Sequence, residues 1–480
     1  MQTPKTKTSK LQKPLKHITL FGFFAITVAM TMDIHEYPVF ATSGLQLIFF
    51  LVVGAILWFI PTALCAAELA TVDTWDDGGI FVWVRNTLGK KLGFAAIFFQ
   101  WLQVTVGFTA MLYFIVGIFA DSFGLAALNE SPPLKCLVAT AIFWIMSLWQ
   151  LRGSRHTVLI NKVGTIAGII IPAILMASLS IAYLASGGQS HVVFTTEALI
   201  PDFSKISTIV VFISFILSYM GIEASASYTN ELKNPKRTYP IAILMVAVVA
   251  IILNVIGGLS IAITVPSSEL SLNAGIIQSL NLTLGFFHAN FDWLLKILTV
   301  MIATGVLSEI SGWIIGPVRG LQQAATDGLL PEKFSKSNQH GVPTRLVIMQ
   351  SIITTIWITI ITLIGGGNNL SFLIAITITV VIYGAAYILM YAGYFQLIFQ
   401  QKHLKRRFEV PGGQPIKILT AIIGLLTTLF CIIISFVPPN TLTPSEIPPY
   451  FLALIPTSIL ALSAPFIIYQ LQTKNSPTKH

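Results

Sequence analysis

Runs of about 20 apolar residues, the length that crosses a bilayer as a helix, recur along most of the chain and are parted by shorter polar stretches. They start near Ile18, Leu45, Leu92, Leu134, Val163, Ile206, Ile241, Trp293, Leu346, Leu370, Ile416 and Tyr450. The pattern predicts an all-α membrane protein of twelve transmembrane helices, the first two parted only by Thr42, Ser43 and Gly44. Two runs are flawed. The first is apolar until Asp33, Ile34, His35, Glu36, Tyr37 and Pro38. The sixth is interrupted by Tyr219, Met220, Gly221, Ile222, Glu223, Ala224, Ser225, Ala226 and Ser227. Each flaw falls 15 residues after the start of its run, from 18 to 33 and from 206 to 221.

Corresponding flaws imply corresponding halves. With five spans in each half, the second copy would enter the membrane upside down relative to the first, the arrangement of an inverted repeat. The expected organisation is a cytoplasmic tail over 1–17, a first repeat of spans one to five over 18–190 and a second of spans six to ten over 191–400. Two extra helices follow over 401–471, then a short cytoplasmic tail over 472–480. The first and sixth helices would be broken at mid-membrane. A break frees backbone N–H and C=O groups that lipid cannot satisfy, so it is a ready-made polar site. Half-helix N-termini suit a carboxylate and C-termini an ammonium, and an amino acid has both. Gly221 permits close backbone approach and Pro38 lacks a donor that the break would orphan. The competing reading is a pair of Pro or Gly kinks with no ligand.

Composition agrees with the spans: 55% of 480 residues are hydrophobic, 10% are charged, and the mean hydropathy is +0.81. The net charge of +9 is a topology signal and not a mark of nucleic-acid binding. With twelve spans and an inside N-terminus, 25 of the 28 Lys and Arg fall on the cytoplasmic side, leaving Lys135, Lys205 and Lys296 outside. Lys and Arg concentrate on that side of membrane proteins, so both termini are expected to be cytoplasmic. The Lys-rich start followed by an apolar run reads as an uncleaved first helix rather than a secretory signal, whose apolar core is shorter. Cys65, Cys136 and Cys431 are scattered and read as packing residues.

Glu223 and Glu309 are the sharpest candidates for chemistry, because an ionisable group inside a span is a functional-site hypothesis by default. Each is either a proton-sensitive contact for a substrate ammonium or a structural hydrogen bond to a neighbouring helix. Trp313 lies one turn from Glu309, and Tyr383 and Tyr387 repeat that spacing; they wall a path or pack. Gln100 and Gln103 are weaker polar candidates. Glu68, at the end of the second span, is expected to meet interfacial water or a loop. Asp73 to Gly79 reads as a turn into a short amphipathic helix over Ile80–Thr87, and Gly365 to Asn369 as a tight turn. No Ser, His and Asp set, HExxH or phosphate loop is recognisable, so no cofactor, metal site or enzymatic activity is expected.

Leu217 to Ala226, followed by Asn230, Glu231, Asn234 and Pro235, resemble the sixth-span signature of bacterial glutamate/GABA antiporters. The resemblance extends through Glu36-Tyr37-Pro38, Trp58 to Pro61, Cys65 to Glu68, Ser311 to Pro317 and Gly365 to Phe372, covering about Leu20 to Phe436. It implies the five-plus-five inverted repeat of the amino acid, polyamine and organocation superfamily. It also implies exchange of external glutamate for internal GABA across the bacterial inner membrane. Coupled to a cytoplasmic glutamate decarboxylase, such exchange exports proton equivalents and supports acid resistance. By matching position Glu223, Glu309, Trp313, Tyr383 and Tyr387 look like substrate-contacting or path-lining residues. His35 and Tyr37 of the first break and Tyr219 and Gly221 of the second complete the expected set. Members tend to carry Tyr where His35 stands; the imidazole either alters substrate choice or pH response or is a neighbour outside the site. Some members carry a long C-terminal plug, and with the sequence ending at His480 that plug is expected to be absent here. The alternatives are a glutamine/glutamate or other amino acid exchanger and, from other classes, a transport-fold sensor or an intramembrane enzyme.

Overall fold

A bilayer leaves each backbone polar group to be satisfied within its own segment, and the apolar runs accordingly fold as helices. The computed structural model describes residues 19–75, 79–153, 164–205, 209–226, 232, 234–287, 291–439 and 441–475. The expected span starts at Ile18, Val163 and Ile206, the tail over 1–17, positions 76–78 of the first loop, Ser227, Asn230 and Glu231 of the sixth-span motif, and the last five residues lie outside them.

In chain order the helices are α1 (Leu20–Thr31), α2 (Tyr37–Ala41), α3 (Gln46–Ala70), α4 (Gly79–Leu88), α5 (Lys90–Ser122), α6 (Pro132–Gln150), α7 (Gly164–Ala185), α8 (Phe212–Leu217) and α9 (Ile222–Ala226). There follow α10 (Pro235–Thr264), α11 (Gly275–Phe286), α12 (Asp292–Thr326), α13 (Thr344–Gly365), α14 (Asn369–Phe399), α15 (Gly413–Ile434) and α16 (Ile447–Asn475). Among the described residues there is no β-strand, only isolated bridging such as that of Val72 with Arg406. Ten of these helices are long and apolar enough to cross a membrane. The chain is a multi-pass membrane protein.

Burial sorts the helices. In α5 and α14 the apolar window is 89% and 83% buried, against 28% to 44% in α6, α7, α10, α13, α15 and α16. The first two therefore form the centre, packed directly on each other, and the others turn leucines and isoleucines such as Ile181, Leu244, Leu363, Ile433 and Leu460 outward. A soluble protein does not expose so much large apolar surface; lipid is the solvent of that face.

Both flawed runs break. After α1 the backbone turns extended at Met32 and Asp33, makes a single 3₁₀ turn over Ile34–Glu36, and resumes as α2 with Pro38 in its first turn, where a missing N–H costs nothing. Between α8 and α9, Ser218 to Gly221 form a turn, and Gly221 adopts φ 105°, which a side chain would strain. The first break is pressed against α10: a Cβ on Gly257 would stand 2.1 Å from the Tyr37 ring, so only glycine fits there.

The end of the bundle bearing Arg85, Lys90, Arg319 and Arg406 is the basic end. There the short helix expected over Ile80–Thr87 forms as α4, and Ile80, Phe81, Val82, Trp83 and Val84 are all buried. It is a wedge held between α5 and α14, and its Arg85 pairs with Asp327 just beyond α12. Glu68 meets a loop, as one of its two expected settings had it. Its fully buried carboxylate accepts from Arg406, from Lys417 Nζ at 2.8 Å, from the Tyr394 hydroxyl at 2.9 Å and from the Val410 amide at 2.9 Å. The segment joining α14 to α15 is thereby bolted to the end of α3. Lys417 also donates to Glu409 at 2.6 Å and holds that carboxyl below its ordinary range, so Glu409 keeps its charge to lower pH than a free glutamate does.

Candidate functional site

Glu223 stands in the first turn of α9, immediately after the Gly221 break, and is 1% exposed. Its Oε1 accepts from Gln100 Nε2 of α5 at 2.7 Å and from the Tyr383 hydroxyl, and its Oε2 accepts from the Tyr387 hydroxyl. The Tyr387 oxygen in turn accepts from the Gly221 amide at 2.9 Å, so the break's freed N–H is spent on the tyrosine that holds the carboxylate. The two central helices, α5 and α14, thus grip the broken one through neutral donors. The rings add shape: Tyr383 and Tyr387 lie 4.7 Å apart and Trp58 of α3 sets its edge on Tyr387 at 4.8 Å.

A second group forms at the first break. His35, 3% exposed, lies between two carboxylates: Nε2 is 3.5 Å from Glu36 Oε1 and Nδ1 is 3.4 Å from Glu309 Oε2 of α12. Glu36 Oε2 and the Tyr37 hydroxyl are buried without a hydrogen-bond partner. Trp313, one turn along α12 from Glu309, meets the Tyr383 ring edge-on at 6.5 Å and so joins the two groups.

Of the expected set, the structure brings Gly221, Glu223, Tyr383 and Tyr387 into one cluster and His35 and Glu309 into another, with Trp313 between. Tyr37 is placed beside the second cluster, its ring on α10. Tyr219 turns away: its hydroxyl donates to the Leu51 carbonyl at 2.9 Å and its ring packs on Phe59 at 5.2 Å. Glu36 and Trp58 join these clusters although the sequence reading did not single them out as site residues. The acid was visible as an ionisable residue inside a span; nothing local marked Trp58 beyond its place in the Trp58 to Pro61 motif.

The charges differ from those at the basic end in one respect. Glu68 is neutralised by Arg406 and Lys417, whereas among the described residues no ion pair joins Lys or Arg to Glu223, Glu36 or Glu309. At the far end of the bundle a cavity of about 330 Å³ opens among Thr42, Ser43, Gln46, His191 and Ser267, just beyond α2.

A bundle of long apolar helices with buried carboxylates at two helix breaks, paired with no Lys or Arg among the described residues, is the build of a membrane transporter. The chain belongs to the amino acid permease family, whose profile matches residues 18–459. It is 48% identical over 459 residues to a glutamate/gamma-aminobutyrate antiporter of Lactococcus lactis subsp. lactis, covering 96% of this chain and 91% of that protein. The identity and coverage are the same for the antiporter of that name from Lactococcus lactis subsp. cremoris. A transporter of Legionella pneumophila is 31% identical over 428 residues, 88% of this chain and 90% of its own.

Proposed function

We propose that this permease is an antiporter of the bacterial inner membrane that takes up glutamate in exchange for internal GABA by alternating access. The observation that carries the site chemistry is Glu223: a buried carboxylate at a helix break, held by three neutral donors and, among the described residues, paired with no Lys or Arg. The missing positive charge is supplied by the ammonium group that glutamate and GABA share, and the two antiporters that are 48% identical to this chain are named for that pair. Glu309 and His35 line the same path from the first break, Trp313 and Tyr383 form its wall, and Tyr387 couples the Gly221 break to the anchor. Tyr37 flanks the path; Tyr219 braces α8 against α3.

The broken α1–α2 and α8–α9 segments serve as the first and sixth of twelve spans, added to the ten long helices. Spans one to five over 18–190 and six to ten over 191–400 form the inverted repeat, and α15 and α16, within 401–471, lie outside it. The basic end faces the cytoplasm with both termini, which makes the 330 Å³ cavity the external mouth. Working beside a glutamate decarboxylase, which consumes a proton for each GABA formed, such exchange removes acid from the cell.

Substrate competition tests the role of the ammonium. In proteoliposomes preloaded with GABA, unlabelled glutamate should suppress uptake of labelled glutamate, whereas glutarate, the same diacid without an ammonium, should not compete at about 100 times that concentration. Equal competition by glutarate would remove the anionic anchor from the account.

A further inference from the structure

Trp58 closes one side of the Glu223 cluster, and what fixes Trp58 comes from α15, a helix that the path does not otherwise use. The indole is fully buried and stands edge-on to the Tyr387 ring at 4.8 Å, with 85° between the planes. Its N–H donates to Thr428 Oγ1 of α15 at 2.9 Å. The Thr428 hydroxyl spends its one proton on the Gly424 carbonyl at 2.8 Å, so toward the indole its oxygen can only accept. The backbone beneath the indole is fixed as well. The Trp58 carbonyl accepts from Thr62 Oγ1 at 2.6 Å, which leaves the Thr62 oxygen to accept from the Tyr391 hydroxyl at 2.6 Å, one turn along α14 from Tyr387. A Cβ on Gly424 would stand 2.1 Å from that hydroxyl, so it is glycine that lets α15 come this close.

We propose that Thr428 is a positioning residue for the substrate site, acting through Trp58 on Tyr387. The Tyr387 hydroxyl donates to Glu223 Oε2 and accepts from the Gly221 amide at 2.9 Å, so a tilt of this one ring displaces both the anchor and the break. The Trp58 edge is the wall against that tilt. An indole keeps one orientation in a buried setting while its N–H has an acceptor; without one, the unpaired donor is costly and the ring turns to find a partner. Hydrogen bonds between membrane helices also serve as plain glue, and that duty at this contact already falls to Thr427, whose hydroxyl reaches the Leu57 carbonyl at 3.2 Å. Thr428 differs in what it holds: not backbone, but the one side chain that abuts the tyrosine gripping Glu223.

The consequence for affinity rests on the exchange reading above; the hold on Trp58 does not. In proteoliposomes containing the full-length protein, Thr428→Val removes the acceptor and keeps the shape. It should raise the KM for glutamate about 10-fold with the maximal rate within about 2-fold of wild type, the signature of weakened binding. Thr428→Ser keeps the acceptor and should hold KM within about 2-fold. On a Trp58→Phe background, which has no indole N–H to satisfy, Thr428→Val should change KM by less than about 2-fold. A bond that only glued helices would instead lower the amount of folded protein, and with it the maximal rate, while KM stayed put. The emission of Trp58, taken as the difference between spectra recorded with and without Trp58→Phe, should move in Thr428→Val and return in Thr428→Ser. That measurement needs no substrate, so failure of the relay is told apart from failure of the exchange reading. A wild-type KM in Thr428→Val, an equal rise in Thr428→Ser or on the Trp58→Phe background, or a Trp58 emission unmoved by Thr428→Val overturns the proposal.

Discussion

Glu223→Gln should lower exchange about 100-fold, the equivalent of about 2.7 kcal/mol, while the protein elutes and melts as the wild type does. Glutamine keeps the shape of the side chain. Its carbonyl oxygen can still accept from Gln100 and Tyr383, and its amide can donate to the Tyr387 oxygen, which already accepts from Gly221. What it lacks is the negative charge that holds the substrate ammonium, and removing one partner of a desolvated charge pair costs about 2 to 5 kcal/mol. Glu223→Ala is the less informative variant, because it also strands three donors at about 1 to 3 kcal/mol each and lowers stability together with transport. Initial rates of labelled glutamate uptake, with thermal melting as the control for folding, separate the two. Wild-type uptake in Glu223→Gln would show that the cluster is a structural clasp and that the substrate binds elsewhere.

Glu68→Ala should destabilise the protein by about 3 to 5 kcal/mol, the cost of breaking a buried ion pair from one side. Arg406 and Lys417, 4% and 8% exposed at their side chains, would be left without the carboxylate that both share. The Tyr394 hydroxyl and the Val410 amide would lose their acceptor as well. The segment between α14 and α15, which also reaches Thr71 through the Phe408 amide, would come away from the end of α3. Detergent-purified protein should melt well below the wild type, and a protease should cut near Arg406 and Arg407 first. An unchanged melting curve would mean that solvent already screens the cluster.

These two carboxylates mark how far the sequence could be read. The long helices were legible because hydropathy over 20 residues is a local property, and so were the breaks, since Asp33, Pro38, Gly221 and Glu223 are conspicuous in apolar runs. The partners were not. Gln100 lies 123 residues from Glu223 and Tyr383 lies 160, and no local pattern pairs them. Glu68 and Glu223 are each a single acid in an apolar stretch; only the fold shows that one meets Arg406 and Lys417 and the other meets three neutral donors. Tyr219, next to the break in sequence, was expected at the site, but the turn over Ser218 to Gly221 carries its hydroxyl to Leu51. The short helix Gly79–Leu88 was legible as a helix, but its apolar Ile80–Val84 core does not reveal that α5 and α14 enclose it on both sides.

Paired tracer flux tests the central claim most directly. Proteoliposomes are loaded with labelled GABA, glutamate carrying a second label is added outside at about pH 5.5, between the unperturbed carboxyl and imidazole values, and both labels are followed. The account predicts that GABA leaves only when glutamate is present outside, and that the two fluxes match molecule for molecule. Glutamate entry into vesicles without internal amino acid, or GABA efflux indifferent to external glutamate, would contradict an obligatory exchange of these two substrates.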